Sequence, residues 1–365
     1  MIGPEPKPGI LQIAHYVPGR ARAAGFDKPV KLSANENALG SSPAAQEAFV
    51  AAAADLSLYP DGAATRLRSA LSARFDLEPE RLIFGCGSDE LFTLACQAFL
   101  EPGDNIVQPA HGFAAWAIAA KACGADVRSA EERELTVDVE TLLALVDSRT
   151  RLVFIANPAN PTGTMISDAQ VLRLLAGLPP QVILIYDGAY AEFAQGLEGY
   201  TDGLQLARRA PNLLVTRTFS KIYGLAALRV GWGYGAEPVI SAMNRIRLPF
   251  NVSVPALCAA QAALADQDFV ARSLAHVRAW LPVFASTLID LGLRPTPSAT
   301  NFTTFALPPD QPVGAGELDD WLAGNGLLVR RLGGYGLSDH LRVTVGADAA
   351  NRRFLNLVTE AMHAG

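Results

Sequence analysis

Lys221 stands in RTFSKIYGLAALRVG (217–231), behind the hydroxyls Thr218 and Ser220 and eight residues ahead of Arg229. A lysine held away from water gives up its proton more readily and becomes a nucleophile for a carbonyl, with which it forms a Schiff base. A nearby guanidinium adds a charge-assisted grip on a phosphate. A second group closes an apolar run at YDGAY (186–190), where Asp187 and Tyr190 are three apart. A carboxylate at the end of a buried strand is costly unless it meets a cation. Asp187 is therefore read as the acceptor for a protonated ring nitrogen, with a helix N-cap or a structural pair with the lysine as the plainer readings. In GCGSDE (85–90), Gly87, Ser88 and Asp89 open a helix; free backbone N–H groups and a hydroxyl there suit a phosphate, although the same residues also serve as an ordinary cap. Two X-Pro steps and a glycine in NPANPTG (157–163) make a rigid turn that presents Asn160.

These residues need a frame that brings them together. The runs 81–87, 104–110, 151–158, 181–190 and 212–220 are each apolar and end in a turn, as buried strands do. Between them 89–103, 113–125 and 167–178 carry helical patterns, with Ser167 as an N-cap and Gly103 and Gly124 as stops. Strand alternating with helix predicts an α/β fold with a mainly parallel sheet covered by helices on both faces. Ligands of such sheets bind beyond the carboxyl ends of the strands, and there the five runs deliver Gly87–Ser88–Asp89, His111, Asn160, Asp187 with Tyr190, and Lys221. After about 245 the texture changes: one long helical stretch (255–292) precedes short strands at 300–307, 326–332 and 340–345, which predicts a smaller α/β unit. The expected division is an N-terminal arm 1–30 packed on the small unit, a large domain 31–250 and a small C-terminal domain 251–365.

Half of the 365 residues are apolar and 18% are charged, enough to bury a large core and too ordered a composition for a disordered chain. A net charge of −6 without a basic run makes nucleic acid and an anionic membrane poor partners. The four cysteines form no CxxC pair, so no metal site is expected and buried reduced thiols are. No secretory leader pattern and no apolar stretch of about 20 residues is present, and a cytoplasmic setting is the expectation. GWGYGA (231–236) spaces its glycines differently from a dinucleotide-binding fingerprint, which leaves a nucleotide-binding module as a weak alternative.

The blocks HYVPGRA (15–21), KLSANENALG (31–40), LYPDGAATRLRSAL (58–71), GCGSDELF (85–92), FIANPANPTGT (154–164), YDGAYAEF (186–193), TRTFSKIYGLAALRVGWG (216–233), RLPFNVS (247–253) and HLRVTVG (340–346) cover nearly the whole chain. In order and spacing they resemble the fold-type I pyridoxal-phosphate aminotransferases, and more narrowly the histidinol-phosphate aminotransferases. The resemblance implies that pyridoxal 5'-phosphate condenses with Lys221, which then moves the substrate's Cα proton. It implies that Asp187 keeps the ring nitrogen protonated, that Tyr190 and Asn160 contact the ring's phenolic oxygen, that Gly87, Ser88, Thr218, Ser220 and Arg229 grip the phosphate, and that Asp89 is among the cofactor-binding residues. Tyr59 falls where the family reaches the cofactor of a neighbouring subunit, implying a homodimer. Arg342 matches the arginine for a substrate α-carboxylate, with Asn35 nearby, while Tyr16 and Arg330 match groups around the substrate side chain, where the family meets a phosphate. His111 occupies the ring-stacking position, usually aromatic, with Phe113 and Trp116 close in sequence; Gly188 stands where the family has glutamate, and a packing or ion-pair contact is expected to be lost. The reaction implied is transamination between histidinol phosphate and 2-oxoglutarate. An aromatic amino-acid donor and decarboxylation of a phosphorylated amino acid are the alternatives.

Overall fold

A computed structural model describes residues 3–15 and 19–364. Its central element is a seven-stranded sheet in the spatial order Leu82–Cys86, Val230–Tyr234, Leu213–Thr218, Ile183–Asp187, Thr150–Ala156, Asn105–Pro109, Asp126–Ala130. All the strands run parallel except Val230–Tyr234, which is antiparallel to both of its neighbours. Successive residues of one strand feed two different cores: Val153 and Ile155 pack on one face and Leu152 and Phe154 on the other. That is why the strands read as continuous apolar runs rather than alternating ones.

The second face is covered by the helices Ser88–Phe99, Ala114–Ala122 and Glu237–Ile246, through Leu91, Phe92, Trp116, Ile240 and Met243. Trp116 is fully buried there, stacked on Phe154 with ring centroids 5.3 Å apart. The other face carries Val139–Ala144, Asp168–Gly177 and Leu204–Arg209. Ser167 caps Asp168–Gly177 as its sequence suggests: its hydroxyl accepts from the Gln170 amide and its own amide donates to Gln170 Oε1. Gly124 takes the left-handed conformation (φ 79°) just after Ala114–Ala122, whereas Ser88–Phe99 already ends at Leu100 and Gly103 serves the turn beyond it.

The expected single helix over 255–292 is two helices, Val254–Ala265 and Gln267–Asp290, separated at Asp266. The Asp266 backbone is non-helical (φ −81°, ψ 73°), and its carboxylate accepts from the Phe269 amide at 3.0 Å and from the Ser42 hydroxyl at 2.5 Å. A short acidic side chain that bonds nearby N–H groups starts a new helix better than it continues one. Val254–Ala265 lies along Pro43–Ala51 and Thr65–Phe75, while Gln267–Asp290 runs on towards a four-stranded antiparallel sheet. The order in that sheet is Arg294–Pro295, Phe302–Ala306, Leu337–Thr344, Arg330–Leu332. The chain near residue 31 joins this side as well: Val30–Lys31 pairs with Leu327–Leu328, and Thr344 N–H donates to the Leu32 carbonyl at 2.8 Å. Among the described residues, no helix is long and apolar enough to cross a membrane.

Candidate active site

At the carboxyl ends of the parallel strands lies a cavity of about 450 Å³. Ser88, Asp89, Asn160, Asp187, Tyr190, Thr218, Ser220, Lys221 and Arg229 line it from the large sheet; Asn35, Arg330 and Arg342 line it from the small-sheet side. The one antiparallel strand explains Arg229. Val230 pairs with Cys86 and Gly231 with Thr218, so this strand begins at the rim where its neighbours end. Arg229 precedes it in the left-handed conformation (φ 54°), a strained setting for a residue with a side chain.

Gly87 precedes the helix Ser88–Phe99 with φ 81°, and a Cβ there would sit 2.5 Å from Arg229 Nη2. Only glycine lets the guanidinium come this close to the helix N-terminus. Gly87 is itself the N-cap of this helix, and among the described residues no side-chain cap bond closes it. Arg229 Nη2 donates to Asp89 Oδ2 at 2.9 Å, and Nη1 to Ser220 Oγ at 3.3 Å. Thr218 donates to Ser220 Oγ at 2.9 Å, and the Ser220 amide donates back to Thr218 Oγ1 at 3.1 Å. Helix-end amides, two hydroxyls and a guanidinium make a cradle that fits a phosphate.

Asp187 ends its strand buried at the cavity wall; among the described residues its side chain takes the Ala189 amide at 3.1 Å and the Thr216 hydroxyl at 3.3 Å. Burial, reinforced by Asp89, pushes its carboxyl up to about 7. The backbone bond is the local turn expected of a capping aspartate, but two neutral donors do not neutralise a carboxylate. Lys221 is brought down to about 8, first by burial and then by the charges of Arg342 and Arg229. Its ammonium nitrogen lies 5.7 Å from the centre of the Tyr190 ring. Burial also pushes the Tyr190 hydroxyl up to about 12, and Asn35 Nδ2 donates to that oxygen at 2.7 Å. Asn35 is itself left-handed (φ 55°), held by its amide to Thr344 Oγ1 at 2.9 Å. Two strained residues, Asn35 and Arg229, thus flank the same cavity.

On the small sheet, Arg330 and Arg342 are cross-strand partners, and both reach the cavity. Arg342 donates to the Asn160 side-chain oxygen and, at 3.0 Å, to the Ser33 carbonyl. Asn160 therefore faces the arginine from its proline-rich turn.

His111 is not among the residues lining the main cavity; Phe113 is. The His111 Nδ1–H donates to the Tyr335 carbonyl at 2.7 Å, and its backbone N–H to Glu132 Oε1 at 3.3 Å. Trp116 belongs to the core described above. Tyr59 is 82% exposed, away from the cavity, and stacks on Phe250 with centroids 4.9 Å apart. Tyr16 lies outside the described residues. At Gly188, a Cβ would lie 3.0 Å from Arg217 Cδ; Arg217 fills this space and pairs with Glu192 at 2.8 Å and Asp202 at 3.3 Å. Beside Gly188, Arg217 thus has two carboxylate partners of its own. Sequence reasoning passed over Ser33 and Tyr335, and named Phe113 only as a neighbour of His111; all three line the cavity. Phe113 had a signal, an aromatic just past a strand end, whereas Ser33 and Tyr335 have none outside the tertiary structure.

Residues 27–358 match the aminotransferase class I and II family, and the chain belongs to that family. It is 53% identical to histidinol-phosphate aminotransferase 1 of Caulobacter vibrioides over 98% of this chain and 99% of that one. It is 46% identical to the histidinol-phosphate aminotransferase of Maricaulis maris, covering 99% of each. Among solved structures it resembles the histidinol-phosphate aminotransferase of Sinorhizobium meliloti in complex with pyridoxal-5'-phosphate, with a TM-score of 0.90, 27% identity and 97% of each chain covered.

Proposed function

We propose that this enzyme is a pyridoxal-phosphate-dependent aminotransferase that takes the amino group of histidinol phosphate and passes it to 2-oxoglutarate, giving imidazole acetol phosphate and glutamate in histidine biosynthesis. The observation that carries the reading is the convergence of a buried amine, a buried carboxylate and a phosphate cradle on one cavity, with two arginines on the opposite wall. The residues fit the cofactor. Asp187, buried with two neutral hydrogen-bond donors among the described residues and with the Lys221 amine acting on it only through space, fits a protonated ring nitrogen as its direct partner. The Gly87–Ser88 helix end, Thr218, Ser220 and Arg229 would hold the phosphate. When bound, the cofactor supplies an aldehyde that captures an amine and a ring that accepts the electron pair released at the substrate carbon.

The protein's own groups do the rest. Lys221, with its proton affinity lowered, would hold the cofactor by its aldehyde and, once the incoming substrate amine has displaced it and freed its nitrogen, would carry the proton to and from the substrate Cα. Tyr190, oriented by Asn35, and Asn160 would donate to the ring's phenolic oxygen. Arg342 would grip a carboxylate, and Arg330, with Tyr16, the donor's phosphate. The names of the relatives at 46–53% identity support this donor.

We divide the chain into an arm 1–30, a large cofactor-binding unit 31–250 and a small unit 251–365, with the cavity between the two sheets. We also propose a homodimer in the cytoplasm. Support for a second copy comes from an exposed apolar surface bearing Leu56, Leu58, Tyr59, Leu248 and Phe250, from which Tyr59 would reach the partner's cofactor phosphate. The test is borohydride reduction of the cofactor-loaded protein followed by peptide mapping, together with glutamate formation from histidinol phosphate and 2-oxoglutarate. A label on any lysine other than Lys221, or no glutamate, refutes the assignment.

A further inference from the structure

Ser33 is buried, and its hydroxyl has no hydrogen-bond partner among the described residues. Buried hydroxyls are nearly always paired, so an orphan in a cavity wall calls for an explanation. The residue is otherwise well held: its carbonyl accepts from Arg342 Nη2 at 3.0 Å, and the preceding Leu32 amide donates to the Leu328 carbonyl at 2.8 Å. The backbone is thus fixed between two small-sheet elements while the side chain alone lacks a partner. The hydroxyl also has a cationic neighbour. The point where a Cβ on Gly19 would sit is 3.5 Å from Ser33 Oγ and 3.3 Å from Arg330 Nη1. Hydroxyl and guanidinium therefore border the same small space, and the missing side chain of Gly19 keeps that space open. All three residues line the main cavity.

We propose that Ser33 is a specificity-determining residue whose hydroxyl donates to the donor's phosphate beside Arg330, under the roof formed by Gly19. A hydroxyl donor next to a guanidinium matches an anion with several acceptor oxygens. A donor without a distal anion would leave the hydroxyl as unsatisfied as it is without substrate, so the contact discriminates between donors. The inference rests on the reading that the donor carries a phosphate.

The test compares wild type, Ser33→Ala and Arg330→Gln as cofactor-loaded enzymes, with histidinol phosphate and with L-phenylalanine as donors. Ser33→Ala is expected to raise KM for histidinol phosphate about tenfold, as loss of a hydrogen bond to a charged group does, and to leave kcat and the KM for phenylalanine within about twofold. The melting temperature without substrate is expected to hold or rise, because no native hydrogen bond is removed. The thermal shift produced by inorganic phosphate is expected to shrink in Ser33→Ala and in Arg330→Gln alike. Equal KM changes for both donors, no change for either, or a lower melting temperature would make the hydroxyl structural and overturn its role. A wild type that uses phenylalanine as readily as histidinol phosphate overturns the donor assignment itself. A wild type that discriminates beside a Ser33→Ala variant that discriminates equally overturns only Ser33.

Discussion

Replacing Asp187 with asparagine should make the cofactor-free protein more stable while abolishing its chemistry. Asp187 sits in the wall of the cavity with its carboxyl raised from 3.8 to about 7 by burial, with Asp89 adding to the effect. Folding therefore increases its proton affinity. The stability that this group contributes is fully present below about pH 3.8 and is lost as the pH rises through about 7, above which the ionised form is buried at full cost. At about 1.36 kcal/mol per unit, the burden at pH 8 is on the order of 4 kcal/mol as a ceiling. At pH 5 it is roughly a third of that. The asparagine side chain would keep an oxygen acceptor for the Ala189 amide and the Thr216 hydroxyl, now 3.1 and 3.3 Å from Asp187, and carry no charge. At about 2.1 cal/mol/K per residue, such a gain raises the melting temperature by up to roughly 5 °C. Calorimetry of cofactor-free wild type and Asp187→Asn at pH 5 and pH 8 measures this, with dialysis against cofactor as the functional control. A variant less stable than wild type by the same amount at both pH values would refute the view that this carboxylate is buried against its own stability, awaiting a cation. A stabilised variant that still turned over substrate would refute its pairing with the ring nitrogen. Loss of stability at binding sites is the usual cost of a preorganised charge.

Gly87→Ala should leave the fold nearly intact and weaken cofactor binding about tenfold or more, because a Cβ 2.5 Å from Arg229 Nη2 displaces the guanidinium; fluorescence titration with pyridoxal phosphate checks it. Gly224→Ala should behave in the opposite way. At φ 69° and 1.9 Å from the Gly40 carbonyl oxygen, its Cβ meets backbone that cannot yield, so urea denaturation should show a loss of about 3 kcal/mol or more, and an unchanged midpoint would contradict the packing. Tyr59→Ala, at a position 82% exposed, should leave the melting temperature of a dilute, dissociated sample within about 1 °C but reduce cofactor affinity about tenfold in the dimer. Unchanged affinity at protein concentrations where sedimentation shows a dimer would sink the proposed reach across subunits.

Much of the site could be read in one dimension because parallel strands sort their own ends. Each buried strand had to be followed by a turn, and each turn after a strand of the same direction lands on the same rim, so Gly87, Asn160, Asp187 and Lys221 needed only the recognition of five apolar runs. The break at Asp266 was missed because helical periodicity continues across it, and the bond from Ser42 that favours the interruption comes from 224 residues away. His111 shows the limit at single-residue scale. Its position after the strand was legible, but the bond from its ring to the Tyr335 carbonyl joins two segments 224 residues apart, and no local pattern encodes that.

By itself, then, the sequence determined the alternation of strand and helix, the identity of the reactive groups and the rim on which most of them lie, since burial patterns and turn chemistry act over a few residues. Only the tertiary structure decided that Val230–Tyr234 runs against its neighbours and so brings Arg229 back to the phosphate cradle. It alone set Arg330 opposite Arg342 and left the Ser33 hydroxyl without a hydrogen-bond partner among the described residues. Strand direction, cross-strand register and the sharing of one cavity by two sheets depend on contacts between separate elements, such as Val230 with Cys86 and Arg342 with Ser33, and the energy of those contacts is not written in either partner alone.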